Sequence, residues 1–312
     1  MISRLAIISE IIYFNAQKCI ANNFTKSIFV EIFKRVIKKQ CSNISIYWSK
    51  SNLFYKMIEK LLQKGVMVIH ALKGYEYHEK RIIELFDKMG MSYEFVTDGD
   101  PIHFRQEVFE KYFVSNIRDI LSDGVLSCTL NHIFALEKIV EKELDYALIF
   151  ENDPFFLGNF VEDIKLIFDE VKSLDKGFMI SLENSTLRFP SYWDIKKDKH
   201  LYQATTCRMS GSFIIDRKGA IDILQELKAN KCPTVIDGWH DQLILQNIIK
   251  MYWVHPPMVE EGSHNGHLNA TISTKPRSQY RRFEWIMQKF YKYYIRRLFP
   301  NKYIIKPNTK KV

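Results

Sequence analysis

The sequence predicts an α/β domain on a central, mostly parallel sheet, preceded by a helical extension and followed by a basic C-terminal helix. Three observations carry that prediction. Short apolar runs, the β-branched "VMVIHAL" from Val66 and "YALIF" over 146–150, alternate with helical stretches through the middle of the chain, the pattern of βαβ units. At 312 residues, 46% apolar and 14% aromatic, the chain has core enough for one large domain or two small ones. Outside residues 66–275 the texture changes to amphipathic, charge-rich helix at both ends.

In order, "SIFVEIFKRVIKK" sets Ile28, Phe29, Ile32, Phe33, Val36 and Ile37 on one helical face, with Glu31, Lys34 and Lys38 opposite. "NISIYWS" (43–49) reads as a short strand, and "LFYKMIEKLLQKG" as a helix stopped by Gly65. These make up a helical extension, 1–65. The domain of 66–275 opens with the Val66 strand, a helix over 78–89 ended by Gly90, and a second strand in "SYEFVTDGD". A helix over 131–144 feeds the strand of Ala147 to Phe150; "GFMISLE" is a further strand and "RKGAIDILQELKAN" (217–230) a further helix. Residues 276–312 form a basic, aromatic tail. There Phe283, Ile286, Phe290 and Tyr293 keep helical spacing among Arg281, Arg282, Lys289, Lys292, Arg296 and Arg297. Such a helix reads as a membrane-surface element, or else as a helix docked on the domain with a solvated basic face.

A formal charge of +9 and a pI near 9.1 favour an anionic partner: nucleic acid, a nucleotide-bearing substrate or an acidic membrane. The basic residues gather at the C-terminus and no nucleic-acid module is recognisable, so nucleic acid is set aside. The five cysteines are Cys19, Cys41, Cys128, Cys207 and Cys232. Odd in number and without a CxxC pair, they fit a reducing compartment and carry no zinc signature. Glu10 interrupts the apolar N-terminus, no small-residue cleavage site follows, and no stretch approaches a membrane span. A cytoplasmic location is expected, peripheral on the inner face of the cell membrane.

Chemistry concentrates in "LDYALIFENDPFF" (144–156), where a buried strand ends in Glu151-Asn152-Asp153 before Pro154. Carboxylates held at a rigid strand end repel one another, and a divalent cation relieves that repulsion; the bland alternative is a polar turn broken by proline. "LSDGVLSCTLNHIFAL", with Gly124, Ser127, Cys128, Asn131 and His132, precedes this strand. "MSGSFIIDRKGAIDIL", "PTVIDGWHDQL" and "YWVHPPMVEEGSHNG" follow it, and "VMVIHALKGYEYHEKR" stands ahead of both. In that order the five segments, spanning roughly residues 66–275, resemble glycosyltransferase family 25, the family of lipooligosaccharide and collagen galactosyltransferases.

The resemblance implies a GT-A type nucleotide-sugar-binding domain and an inverting transfer from a UDP-sugar, galactose being the commonest donor. The acceptor would be a hydroxyl of a lipooligosaccharide, glycolipid or other surface oligosaccharide. The cofactor implied is Mn2+ or Mg2+, clamping the diphosphate and stabilising the leaving group. Glu151 and Asp153 are the expected metal-binding carboxylates, and His264 a candidate ligand from a late loop. Asn152 replaces the family's middle acid and Asn131 its usual serine. The first departure leaves open a second reading, a catalytically degenerate relative that binds sugar nucleotide or a partner protein.

An inverting transfer needs a base for the acceptor hydroxyl, and Asp237 and Asp241 are the candidates, Asp237 being also a candidate helix cap. Gly211 would let backbone approach the donor, as no side chain intervenes. Arg81 suits the diphosphate or uridine pocket, and Glu183 a donor or acceptor contact. His132 reads as a structural histidine beside the strand.

Overall fold

The computed structural model of the chain describes residues 56–269 and 279–306. The chain divides into two units, Met1–Met57 and Ile58–Val312, and all but the first two described residues lie in the second. The expected helix over 28–37 and strand over 43–49 fall outside the described residues.

Helix α1 occupies 56–64 and ends at Gly65, burying Ile58, Leu61 and Leu62. Strand β1 (Val66–Ile69), α2 (Glu76–Met89) and β2 (Glu94–Val96) form the expected βαβ unit, with β1 and β2 parallel. Gly90 closes α2 at φ 64°, a left-handed turn that a side chain would strain. Helices α3 (Gln106–Tyr112), α4 (Ile117–Ile120) and the long α5 (Asp123–Glu141) lead into β3 (Tyr146–Glu151). Then come β4 (Pro154–Phe156), α6 (Phe160–Val171), β5 (Phe178–Ser181) and β6 (Leu201–Ala204). The unit continues through β7 (Ser212–Asp216), α7 (Arg217–Asn230), α8 (Ile236–Leu245), β8 (Lys250–Val254), β9 (Val259–Glu261) and α9 (Gly262–Asn265). Asp216 caps α7 by accepting from Gly219 N–H.

Seven strands make one sheet in the order β2-β1-β3-β7-β5-β8-β6. Five of the seven point the same way, and β6 and β7 run against them. The sheet is thus mostly parallel in direction, with an antiparallel strand at its middle. The reversed direction of β7 is not legible in the sequence, because a strand buried on both faces is apolar throughout whichever way it runs. Alternate residues face opposite helical layers. Ala147, Ile149, Phe213 and Ile215 pack with α5, α7 and α8, whereas Phe150 and Tyr146 stack edge-on against Phe86 of α2 and Phe160 and Phe168 of α6.

The C-terminal segment docks on this body. Helix α10 (Arg281–Phe290) runs on through two tighter or wider turns to Leu298. Its Trp285 packs on Leu187 and Phe189, and Arg297 donates to Pro190 O. Ile304 then bridges Ala204 of β6, covering an edge that would otherwise present unpaired backbone groups. Among the described residues no helix is long and apolar enough to cross a membrane.

Candidate active site

The parallel strands β1 and β3 end level, Ile69 opposite Glu151, and a cavity of about 610 Å³ opens beyond them. Open α/β sheets bind ligands outside the carboxyl ends of their strands, and the volume suits a small molecule. Glu151 shares its sheet face with Ala147 and Ile149, so it turns toward α5. Its Oε1 lies 3.4 Å from His132 Nε2 and 3.6 Å from Cys128 Sγ, side chains one turn apart on that helix. These three donors stand close enough together to hold a metal ion. Burial works to raise the Glu151 carboxyl, but His132 and Cys128 outweigh it and hold it below its ordinary value. Burial and the neighbouring carboxylate push the Cys128 thiol well up, so it stays protonated and donates to Glu151.

Beyond Glu151 the chain leaves the main sheet. Pro154 does more than break a strand: β4 pairs antiparallel with β9 as a separate two-stranded sheet, Pro154 opposite Glu261. That pairing carries an acid from a late loop to the early acids. Asp153 accepts from Ser263 N–H at 2.7 Å, and burial together with Glu151 raises its carboxyl. Glu261 is raised well above its ordinary value by burial and then by Glu183, Glu151, Asp153 and Asp237. Its Oε2 lies 3.4 Å from His264 Nε2, and its Oε1 has no hydrogen-bond partner. Asp237 stands in the first turn of α8. The N-cap there is Val235, which supplies no side-chain bond. Ser210 beside it works to lower the Asp237 carboxyl, but burial and Glu151 outweigh it and push the carboxyl up to about 6, and Oδ1 has no partner. Ser210 also meets His240 Nδ1 at 2.8 Å, and burial drives that imidazole down to about 3. Five carboxylates, Asp100, Glu151, Asp153, Asp237 and Glu261, thus line one cavity from four separate stretches, and Asp237 and Glu261 each keep a buried oxygen unsatisfied.

The model of glycosyltransferase family 25, described as LPS biosynthesis proteins, matches residues 67–234, more than half of the chain. The chain belongs to glycosyltransferase family 25. A protein of Haemophilus influenzae, provisionally named a glycosyltransferase, is 26% identical over 191 residues, covering 56% of this chain. The match takes in 65% of that relative, so the chain spans a little under two thirds of its length.

The family 25 match ends before Asp237, Glu261 and His264, so two of the cavity's five acids come from beyond it. The two departures from the family pattern both make definite contacts. Asn131 accepts from Gly99 N–H at 2.7 Å and donates to His70 O at 3.1 Å, tying the loop after β2 to the end of β1. The Asn152 amide lies 3.3 Å from His70 Nδ1, on an imidazole that burial keeps below its usual pKa and so able to accept.

Of the residues singled out from sequence, Glu151, Asp153, Asp237 and His264 line the cavity. Arg81, Gly211, Glu183 and Asp241 stand behind it. The Arg81 guanidinium donates to Pro154 O and lies 4.2 Å from the Phe155 ring, bracing the turn into β4. The space over Gly211 is filled by Glu261: a Cβ there would sit 1.9 Å from Oε1, so this glycine admits an acid of the chain itself. Glu183 is buried beside Arg208, accepts from Ser185 N–H and is pushed up to about 8 by burial. Asp241, one helical turn after Asp237, accepts from Thr206 Oγ1 at 2.8 Å and from Cys207 N–H at 2.7 Å. Sequence reasoning missed Glu261 and Ser210. The doubled acid three residues before His264, in "VEEGSH", is the signal that was there for Glu261.

Proposed function

We propose that this family 25 protein is an inverting, metal-dependent glycosyltransferase of GT-A type, moving a hexose, galactose first, from a UDP-sugar to a hydroxyl of a lipooligosaccharide or other surface glycan. The observation that carries this reading is the convergence of Glu151, Asp153, Asp237 and Glu261 on a cavity at the carboxyl ends of β1 and β3. An acid cluster this buried is stable only when protons or a cation offset its repulsion. Its donor set fits a hard divalent ion. The unsatisfied Glu261 Oε1 and the raised carboxyls are oxygen donors, and the protonated Cys128 offers no thiolate. Glu151, Asp153, Glu261 and His264 would hold Mn2+ or Mg2+, which supplies charge stabilisation for a departing nucleoside diphosphate.

The chain's own residues do the rest. Asp237, raised to about 6 and so mostly ionised at neutrality, takes the acceptor hydroxyl proton as the new glycosidic bond forms and the bond to UDP breaks. Ser210 orients it, and the neutral His240 behind Ser210 keeps that hydroxyl from turning away. Asn131 and Asn152 fix the rim through His70. The degenerate-binder reading rests on Asn152 and on the N-terminal extension, but the Asn152 amide is engaged by His70 and five acids line the cavity without it.

The test is release of UDP and sugar transfer with UDP-galactose, UDP-glucose and UDP-N-acetylhexosamines, with Mn2+ or with EDTA. Asp153→Asn should lower turnover roughly a hundredfold or more. Turnover indifferent to EDTA and to that substitution would remove the assignment, and tight UDP binding without turnover would favour the binding protein.

A further inference from the structure

We infer that the C-terminal segment is a membrane-docking element that lays an apolar helix face, fringed by Arg and Lys, onto an anionic lipid surface. Trp285 and Arg297, 4% and 3% exposed, fix one side of this segment to the domain. On the other side Phe283, Ile286, Phe290, Tyr294 and Leu298 recur at helical spacing and stand open, Phe283 at 64% and Phe290 at 55%. Among the described residues, eleven of the twenty-one exposed large hydrophobic side chains lie between Tyr280 and Ile305, which is a patch and not the usual scatter. The face cannot simply roll inward. Lys289 pairs with Glu260, Lys292 donates to Thr186 O and Arg297 to Pro190 O, so the buried side is pinned by polar contacts.

A second element extends the patch. Trp193 is 77% exposed while its Nε1 donates to Leu298 O at 3.1 Å, and Tyr192 OH donates to Tyr293 O. Exposed tryptophan with a satisfied N–H is the side chain that membrane interfaces favour. Lys196 and Lys197 follow in the same exposed loop, and Arg282 and Arg296 are exposed on the helical segment.

Charge selects the occupant. Residues 275–312 hold twelve Lys or Arg and one Glu, whereas the whole chain has an excess of nine, so the remainder is slightly acidic. The positive excess therefore belongs to this stretch of sequence, and among its described residues Arg282, Arg296, Lys302 and Lys306 are exposed on the segment that carries the open apolar face. A second copy of the chain, joined about a two-fold axis, would bring this basic fringe against itself. An anionic bilayer meets both properties at once. The inference holds whether or not the cavity transfers sugar.

The full chain is mixed with vesicles of phosphatidylcholine alone or with added phosphatidylglycerol, and co-sedimentation and tryptophan fluorescence are read. We expect binding to the anionic vesicles, a blue shift that Trp193→Phe removes, and weakening by salt. Phe283→Ser with Phe290→Ser, both exposed and so harmless to folding, should lower vesicle binding about tenfold or more. Arg282→Gln with Arg296→Gln should lower it several-fold on anionic vesicles only. Parent protein left in the supernatant with both vesicles, or apolar variants that bind like the parent, would overturn the inference. So would self-association abolished by the phenylalanine substitutions without vesicle binding, which assigns the face to a second copy. UDP release from a soluble acceptor reaction should be the same in these variants, which separates this result from the fate of the transferase reading.

Discussion

Asp237 and Asp241 show how one helical turn separates a reactive group from a structural one. Both stand on α8, yet Asp241 is saturated by Thr206 and Cys207 while Asp237 keeps an unpartnered oxygen in the cavity. A carboxyl raised to about 6 is stabilised in its neutral form, so holding it ionised at neutral pH costs on the order of 3 kcal/mol. Asp237→Asn removes that cost together with the base. The expected outcome is a higher melting temperature and a turnover lowered roughly 10²–10⁴-fold, read by thermal unfolding and UDP release on one preparation. A melting temperature that falls with activity would make Asp237 a structural residue. The distinction was half legible in sequence: both acids stood out in "IDGWHDQL", but which one faces the cavity depends on what packs beside each turn.

At the scale of elements, local pattern carried what is local. The run "RKGAIDILQELKAN" is α7 end to end, and the Val66 strand, the helix ended by Gly90 and the strand into Glu151 formed where their periodicity placed them. What sequence could not show was pairing across about a hundred residues. The contact of β4 with β9 decides that Glu261 joins Asp153, and nothing near either strand encodes that partnership. Gly211 is its counterpart in the main sheet, left bare so that the Glu261 carboxyl fits against β7. Gly211→Ala should therefore displace that carboxyl. Because the atoms met first are the far end of a side chain, the fold should lose only about 1 kcal/mol. Stabilisation by Mn2+ in a thermal-shift titration should weaken several-fold, whereas an unchanged titration would detach Glu261 from cation binding.

For the whole molecule, burying so many titratable groups in one unit makes stability a function of pH, and the signs can be worked out. Burial raises Glu183 to about 8, Asp237 to about 6, and lifts Asp153 and Glu261 as well. Each of these binds its proton more tightly folded than unfolded, so its contribution fades as pH climbs from the ordinary carboxylate range through its folded value. The buried His240 and His255, both near 3, and the lowered His70 act in the opposite sense. Unfolded, they take up protons near pH 6.5, and folded they do not, so they cost stability as pH falls below that value. Below pH 6.5 the two sets oppose each other and largely cancel; between 6.5 and 8 only the carboxyls still titrate. The melting temperature in EDTA should therefore stay nearly level from pH 5 to 6.5 and drop from 6.5 to 8. A cation held by the same acids takes over from the lost protons, so saturating Mn2+ should remove most of that drop. Equal melting temperatures at pH 6.5 and 8 in EDTA would mean that these carboxyls titrate as ordinary surface groups, and the cavity would then lack the stored repulsion on which cation binding there depends.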